Sequence, residues 1–239
     1  MRLNARGADA MRSVELRRHY LKGCPGSVLI SCGDTRVICA ATVEERVPPF
    51  LKGRGRGWIT AEYSMLPRSS PQRVERESGR GGVKGRTHEI MRLIGRSLRG
   101  VLDPAALGER QVLIDCDVVQ ADGGTRCAAI TGAYVALVDA LSPLVAAGTL
   151  PALPLREAVA AVSVGLVGGE ALLDLDYSED SSADVDMNLV GTASGALLEL
   201  GATAERAPFS EAQLSRLLSL GRAGLEVLFA AQRAALAGN

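Results

Sequence analysis

The stretch QVLIDCDVVQADGGTR, Gln111 to Arg126, reads as a strand that ends in a glycine-rich turn and runs straight into a helix. Residues 111–119 form the strand, ADGGTR the turn, and a helix is expected from about Cys127 to Val145. Glycines just before a helix let the backbone approach an anion closely. The helix N-terminus supplies unpaired N–H groups and partial positive charge. Thr125 adds a hydroxyl donor, and Arg126 a planar fork that matches phosphate. The turn is not a Walker loop, because no Lys-Ser/Thr pair follows, and its spacing does not fit GxGxxG. The same residues would also serve a plain strand–helix turn with Arg126 in a salt bridge.

Outward from this unit, residues 26–43 (GSVLISCGDTRVICAATV) read as two strands around a Gly33-Asp34 turn. GWITAEYSML holds one more strand. Pro67 to Gly85 is a long polar loop, a length that in a compact domain usually carries function. Residues 87–102 are helical: Ile90, Ile94, Ser97 and Val101 share a face, and Thr87 is the expected N-cap. After the central helix, strands are expected at 158–166, 171–177 and 184–190, with the turn SEDSS between the last two. Ser210 opens a final helix, and Gln213 completes its capping box. The order ββ…α-β-α, then βββ…α, repeats coarsely. It predicts an α+β protein of two related β-rich halves, about 10–145 and 156–236, within a single domain spanning 1–239.

The chain carries 27 Lys+Arg against 27 Asp+Glu over 239 residues. A net charge of zero excludes a protein coated in basic charge for nucleic acid, but the zero is a cancellation. Residues 51–100 have a local net of +8, and residues 111–205 a local net of −12. A basic block suits phosphates. No secretory signal is visible at the start. The most apolar stretch, about 128–147, is interrupted by Asp139 and Pro143 and is too mixed for a membrane span. The five cysteines form no CxxC pair, so they read as free thiols of a reducing cytosol, four of them buried. With 3% aromatic residues, base-stacking platforms of the RRM or OB type are not expected.

Two further constellations stand out. The segment DLDYSEDSSADVDMN reads as an acidic hairpin, with Asp174 and Asp176 on one face of a strand, Asp184 and Asp186 on one face of the next, and Asp180 in the turn. Mg²⁺ needs only one or two protein carboxylates, so five aspartates exceed that need and spacing does not choose among them. The basic loop offers Arg68, Arg73, Arg76, Arg80 and Lys84, leading to Arg86 just before a helix start. A cationic loop of irregular spacing suits nucleic-acid backbone contacts. Glu75 and Glu77 would also allow local salt bridges. His19 and His88 have no GxSxG partner motif. Cys116, Cys127 and Trp58 read as packing residues.

GWITAEYSMLPRS, GRTHEIMRLIGRSLR, LGERQVLIDCDVVQADGGTR, AAITGAYVAL, AAVSVG and LLDLDYSEDSSADVDMN together resemble the ribonuclease PH family, in order, from about Gly26 to the end. The resemblance implies the ribonuclease PH fold, with βαβ-type units packed on helices and an unusual left-handed crossover. It implies a cytoplasmic, phosphorolytic 3′-to-5′ exoribonuclease (a tRNA nucleotidyltransferase) that trims tRNA precursor 3′ ends. Inorganic phosphate is the co-substrate and nucleoside diphosphates are released. It further implies a homo-hexameric ring, a trimer of dimers, and no membrane. Phosphate binding maps to Arg86, Gly124, Thr125 and Arg126, the catalytic aspartates to Asp180 and Asp186, and tRNA contacts to Arg68, Arg73 and Arg76. Asp180 and Asp186 would also hold Mg²⁺. Asp184 ranks below them, since it falls where the family varies.

The chain departs from the family pattern in places. The family start resembles R-x-D-G-R-x-x-D-x-L-R-P; here Leu3, Asn4 and Ala5 precede Arg6, and Ser13 replaces the proline. The threonine after GGTR is Cys127, and a glutamine is lost before Ala202-Thr203-Ala204-Glu205. None of these touches Arg86, Arg126, Asp180 or Asp186. Two rival readings are a non-catalytic RNA-binding ring subunit of exosome type and a metal-dependent hydrolase using water.

Overall fold

The computed structural model describes residues 2, 5–77 and 82–238. Alternation builds the first sheet. In β5 (Gln111–Gln120), Val112, Ile114, Cys116 and Val118 are buried while Asp115 and Asp117 face outward. Around it lie β1 (Val14–Arg18), β2 (Ser27–Cys32), β3 (Thr35–Glu44) and β4 (Trp58–Met65), in the order β1-β2-β3-β5-β4. The expected hairpin is β2–β3, closed at Gly33 in the left-handed region. β4 alone runs parallel to its neighbour, β5. Helix α1 (Gly85–Val101) makes that crossover, followed by the short α2 (Pro104–Leu107).

The second sheet is β6 (Val159–Val167), β7 (Glu170–Leu173), β8 (Val185–Thr192) and β9 (Leu197–Ala204), in the order β7-β6-β8-β9, antiparallel throughout. Between the sheets runs α3 (Thr125–Ala146), packed on β2 and β3 from one side and β6 from the other. It is buried on every face from Cys127 to Val138, so it shows no amphipathic stripe. By length and hydropathy α3 could cross a bilayer, but 67% of its most apolar window is buried inside the protein. Asp139, the charge that interrupts this helix, is buried and paired with Arg18 of β1 at 2.7 Å. Helix α5 (Glu211–Ala237) covers β6, β7 and β8 with Leu217, Leu225, Leu228 and Phe229. Each such side chain contributes about 1.5–3 kcal/mol through burial. The Ser210–Gln213 capping box is formed as expected.

Several expectations are corrected. Helix α1 starts at Gly85, with Lys84 as its N-cap; Thr87 lies inside the first turn and donates its hydroxyl to Glu77 Oε1 at 2.9 Å. Arg86 is therefore in the first turn of α1, not ahead of it. The acidic segment is not a hairpin. β7 and β8 do not pair with each other; both flank β6. β7 ends at Leu173, so Asp174 and Asp176 lie beyond it rather than on a strand face. The expected turn is a short helix, α4 (Tyr177–Ser182), closed by an Asp176–Glu179 capping box. Asp180 sits on that helix. Strands β1 and β9 were not expected at all.

Candidate active site

The glycine turn fixes the floor of the site. Gly123 and Gly124 both take positive φ, at 73° and 67°, and Gly124 is the N-cap of α3. A Cβ on Gly123 would lie 2.5 Å from the Leu175 carbonyl oxygen, so only glycine lets this turn press against the segment leading to α4. The turn exposes the start of α3 to a cleft of about 1110 Å³. Arg86, Gly124, Thr125, Arg126, Asp180 and Asp186 all line it. Two helix starts, α1 and α3, thus deliver two arginines, and α4 and β8 deliver two carboxylates. Neither Arg86 nor Arg126 has an ion-pair partner among the described residues. The reading of Arg126 as one half of a turn salt bridge is thereby overturned.

The carboxylates are poised by burial. Burial pushes the Asp180 carboxyl up, while the charges of Arg126 and Arg86 pull against it. Burial likewise raises Asp186, with a further push from the negative charge of Asp180. The Asp186 Oδ1 atom is buried with no hydrogen-bond partner among the described residues. Its Oδ2 accepts from Asn188 Nδ2 at 3.3 Å, and Asn188 Oδ1 in turn accepts from the Cys127 thiol at 3.2 Å. The first turn of α3 is therefore bonded, through Asn188, to the aspartate of β8. Asp184 does not line the cleft.

Behind α4 lies a buried ionic network. Arg2 holds Glu179 at 2.6 and 2.7 Å, and Arg12 holds Asp174 at 2.7 and 2.9 Å. Arg6 reaches Asp174, Asp176 and Glu179 within 3.7 Å. Partners of both signs and additional carbonyl acceptors satisfy these charges.

The basic loop is split. Arg73 and Arg76 line the cleft; Arg68 does not, and its Nη1 donates to the Pro71 carbonyl at 3.0 Å. Arg80 lies outside the described residues. Glu77 does not neutralise the arginines: it accepts from the Lys84 backbone N–H and the Thr87 hydroxyl, pinning the loop to the start of α1. Tyr63, Asn188 and Glu205 also line the cleft, and sequence reasoning had not picked them out. Asn188 had a signal, since it stands two residues after Asp186 on the same strand face. Tyr63 had none, because its partner is 62 positions away.

An arginine-lined anion pocket joined to paired carboxylates defines a phosphoryl-transfer class of site. The chain belongs to the 3′ exoribonuclease family: domain 1 of that family matches residues 10–143 and domain 2 matches residues 157–224. A relative named ribonuclease PH, from Moorella thermoacetica, is 60% identical over 236 residues, 99% of this chain and 94% of the relative. Solved structures share the fold. Rice (Oryza sativa) Rrp46 has a TM-score of 0.77 at 19% identity, covering 97% of this chain and 98% of that one. A chain of the Archaeoglobus fulgidus exosome with RNA bound to the active site has a TM-score of 0.79 at 22% identity, covering 95% and 91%. The expected ribonuclease PH fold is the fold of this chain.

Proposed function

We propose that the cleft carries out phosphorolysis at RNA 3′ ends. The chain is a phosphorolytic 3′-to-5′ exoribonuclease that takes inorganic phosphate as co-substrate and releases nucleoside diphosphates; its substrates are tRNA precursors. The observation that carries this reading is the meeting, in one cleft, of unpaired Arg86 and Arg126 with Asp180 and Asp186. A subunit that only bound RNA would have no use for the buried acidic pair. A water-using hydrolase would have no use for an anion pocket beside the scissile bond.

Phosphate binds between Arg86, Arg126 and the Gly124–Thr125 start of α3. Both reactants are anions, and the arginines offset their repulsion and fix the angle of in-line attack on the last internucleotide phosphorus. The bond to the 3′-oxygen of the penultimate ribose breaks, and that oxygen becomes the 3′-hydroxyl by taking a proton, either the one the attacking hydrogen phosphate carries or one from Asp180 or Asp186. Breaking an ester while forming a phosphoanhydride makes the reaction readily reversible. Arg73 and Arg76 hold the RNA backbone at the cleft, and Arg68 contacts it farther out.

The acidic pair fits Mg²⁺. Asp186 Oδ1 is buried without a partner, Asp180 lies beside it, and two carboxylates suffice when water and substrate phosphate supply the other ligands. Among the described residues no group of three or more His, Cys, Asp or Glu is placed to hold a metal, so water and substrate phosphate would have to complete the shell of an ion held by this pair. When bound, Mg²⁺ would stabilise charge on the equatorial and leaving oxygens.

The two halves, about 10–145 and 156–236, act as one domain because they share α3. Assembly is a homo-hexameric ring, a trimer of dimers, and the location is cytoplasmic. Leu197 and Leu200 of edge strand β9 and Val227 of α5 are exposed and suit subunit contacts.

The test is one assay of a tRNA precursor with and without phosphate, reading nucleoside diphosphate against monophosphate. Diphosphate formed only with phosphate, and lost in Arg126→Ala with RNA still retained, is the expected result. Monophosphate without added phosphate would mean a hydrolase, and no product with either would mean a binding subunit.

A further inference from the structure

Tyr63 is a buried tyrosine that reaches the floor of the cleft. It lies on β4 with Ile59 and Ala61 on the inward face, and its residue is 5% exposed. Its phenol oxygen is 2.8 Å from Thr125 Oγ1. At that separation one hydroxyl donates to the other, and a single proton is used between them. The direction decides what Thr125 has left. If Thr125 donates to Tyr63, only lone pairs face the cleft. If Tyr63 donates, the Thr125 proton is free to point into the cleft.

Two observations choose the second direction. Arg86 and Arg126 make the neighbourhood one that holds an anion, and a hydroxyl bond to an anion is about twice as strong as one to a neutral group. Burial also raises the phenol above its ordinary range, against the pull of Arg86 and Arg126, so Tyr63 keeps its proton and can give it.

We propose that Tyr63 is a positioning residue for the phosphate co-substrate: its hydroxyl donates to Thr125 Oγ1 and so turns the Thr125 O–H toward the phosphate. This rests on the reading of Thr125 as a phosphate ligand. Tyr63 acts on the phosphate through Thr125. Its effect runs through one hydrogen bond, and is specific to the step that binds phosphate.

Tyr63→Phe removes the hydroxyl and keeps the ring. The expected result is a KM for phosphate raised about fivefold, the size of one ordinary hydrogen bond, with the KM for RNA unchanged and the melting temperature lowered by no more than about 2–4 °C. Thr125→Val should raise the phosphate KM at least as much, and adding Tyr63→Phe to Thr125→Val should raise it no further. An unchanged phosphate KM in Tyr63→Phe, or equal changes in both KM values, overturns the proposal. So does full additivity in the double variant. If Thr125→Val is silent while Arg126→Ala abolishes phosphate use, the proposal falls and the phosphorolytic site stands. If Arg126→Ala is silent as well, the phosphorolytic reading falls with it.

Discussion

Arg12 grips Asp174 through both carboxylate oxygens, Nη2 to Oδ1 at 2.7 Å and Nε to Oδ2 at 2.9 Å, and its backbone N–H adds a third bond to Oδ2 at 2.8 Å. The same guanidinium donates to the Asp122 carbonyl on the glycine turn. Asp174 sits at φ 55°, in the left-handed region, which aspartate enters more readily than most residues. One side chain therefore joins the turn that opens α3 to the segment that leads into α4 and Asp180.

Breaking this pair removes the bidentate partner of a buried carboxylate and leaves it the longer contact to Arg6 at 3.4 Å. Arg12→Ala should cost about 3–5 kcal/mol by urea unfolding, and activity should fall with it. Arg12→Lys should recover only part, because an ammonium cannot span both oxygens. A loss under 1 kcal/mol in Arg12→Ala would show that Asp174 is held by its other neighbours.

Ala5 stands at φ 55°, in the left-handed region, where the family pattern has glycine. The methyl group strains the backbone by about 1–2 kcal/mol. Ala5→Gly should raise the urea midpoint by most of that and leave turnover at saturating substrate unchanged. A lower midpoint would mean that the strain is absent.

On the outer face of the first sheet, Asp115 is paired with Glu62 of β4. Burial, then the negative charges of Asp117 and Glu62, push its carboxyl above the ordinary 3.8. The folded state thus holds this proton more tightly than the unfolded chain does. That advantage is complete below about pH 3.8 and is lost as pH rises through the folded value. Asp115→Asn removes the like-charge repulsion. It should raise the melting temperature by about 1–2 °C at neutral pH, and the gain should vanish at the acid end. An equal gain at both ends would assign it to something other than charge.

For the basic loop, the cleft geometry separates arginines that the sequence treats alike. Arg73→Ala and Arg76→Ala should each lower the slope of log affinity for single-stranded RNA against log salt by about 0.7. Arg68→Ala, outside the cleft lining, should lower it less. Three equal effects would place the RNA path over the whole loop.

Four of the five cysteines are buried, and only Cys24 is partly exposed. Burial holds the Cys32 thiol up at about 12 and raises that of Cys127, while the hydrogen bond to Cys39, then burial, raises that of Cys116. Iodoacetamide should label the native protein at Cys24 alone and the unfolded chain at all five. Fast native labelling of Cys127 would show that the cleft floor opens.

Much of this was legible in the chain because local chemistry declared it. Gly33-Asp34 marked a turn, Ser210 with Gln213 marked a helix start, and Gly123-Gly124 before an apolar run marked an anion-ready helix. What stayed hidden depends on distant partners. β9 is an edge strand whose inward and outward residues do not alternate, so Leu197–Ala204 carried no strand signal. Ser178, Ser181 and Ser182 disfavour a helix. α4 forms because Asp176 and Glu179 cap it and Arg2, from the other end of the chain, neutralises Glu179. The same holds for Arg12, whose partners lie more than a hundred positions away.

Helix α3 begins at the cleft and is clamped between two sheets for most of its length. A group fixed to that start cannot shift unless the whole interior shifts with it. The phosphate pocket proposed at Thr125 and Arg126 is thus mounted on a deeply packed helix, while Arg73 and Arg76, proposed to meet RNA, hang on a loop tethered to α1 through Glu77. Mutations in the loop can change which RNAs are gripped, and how firmly, without disturbing how a bond is broken. On the proposed roles, a change of RNA client with an unchanged reaction would follow from where each set of residues is attached.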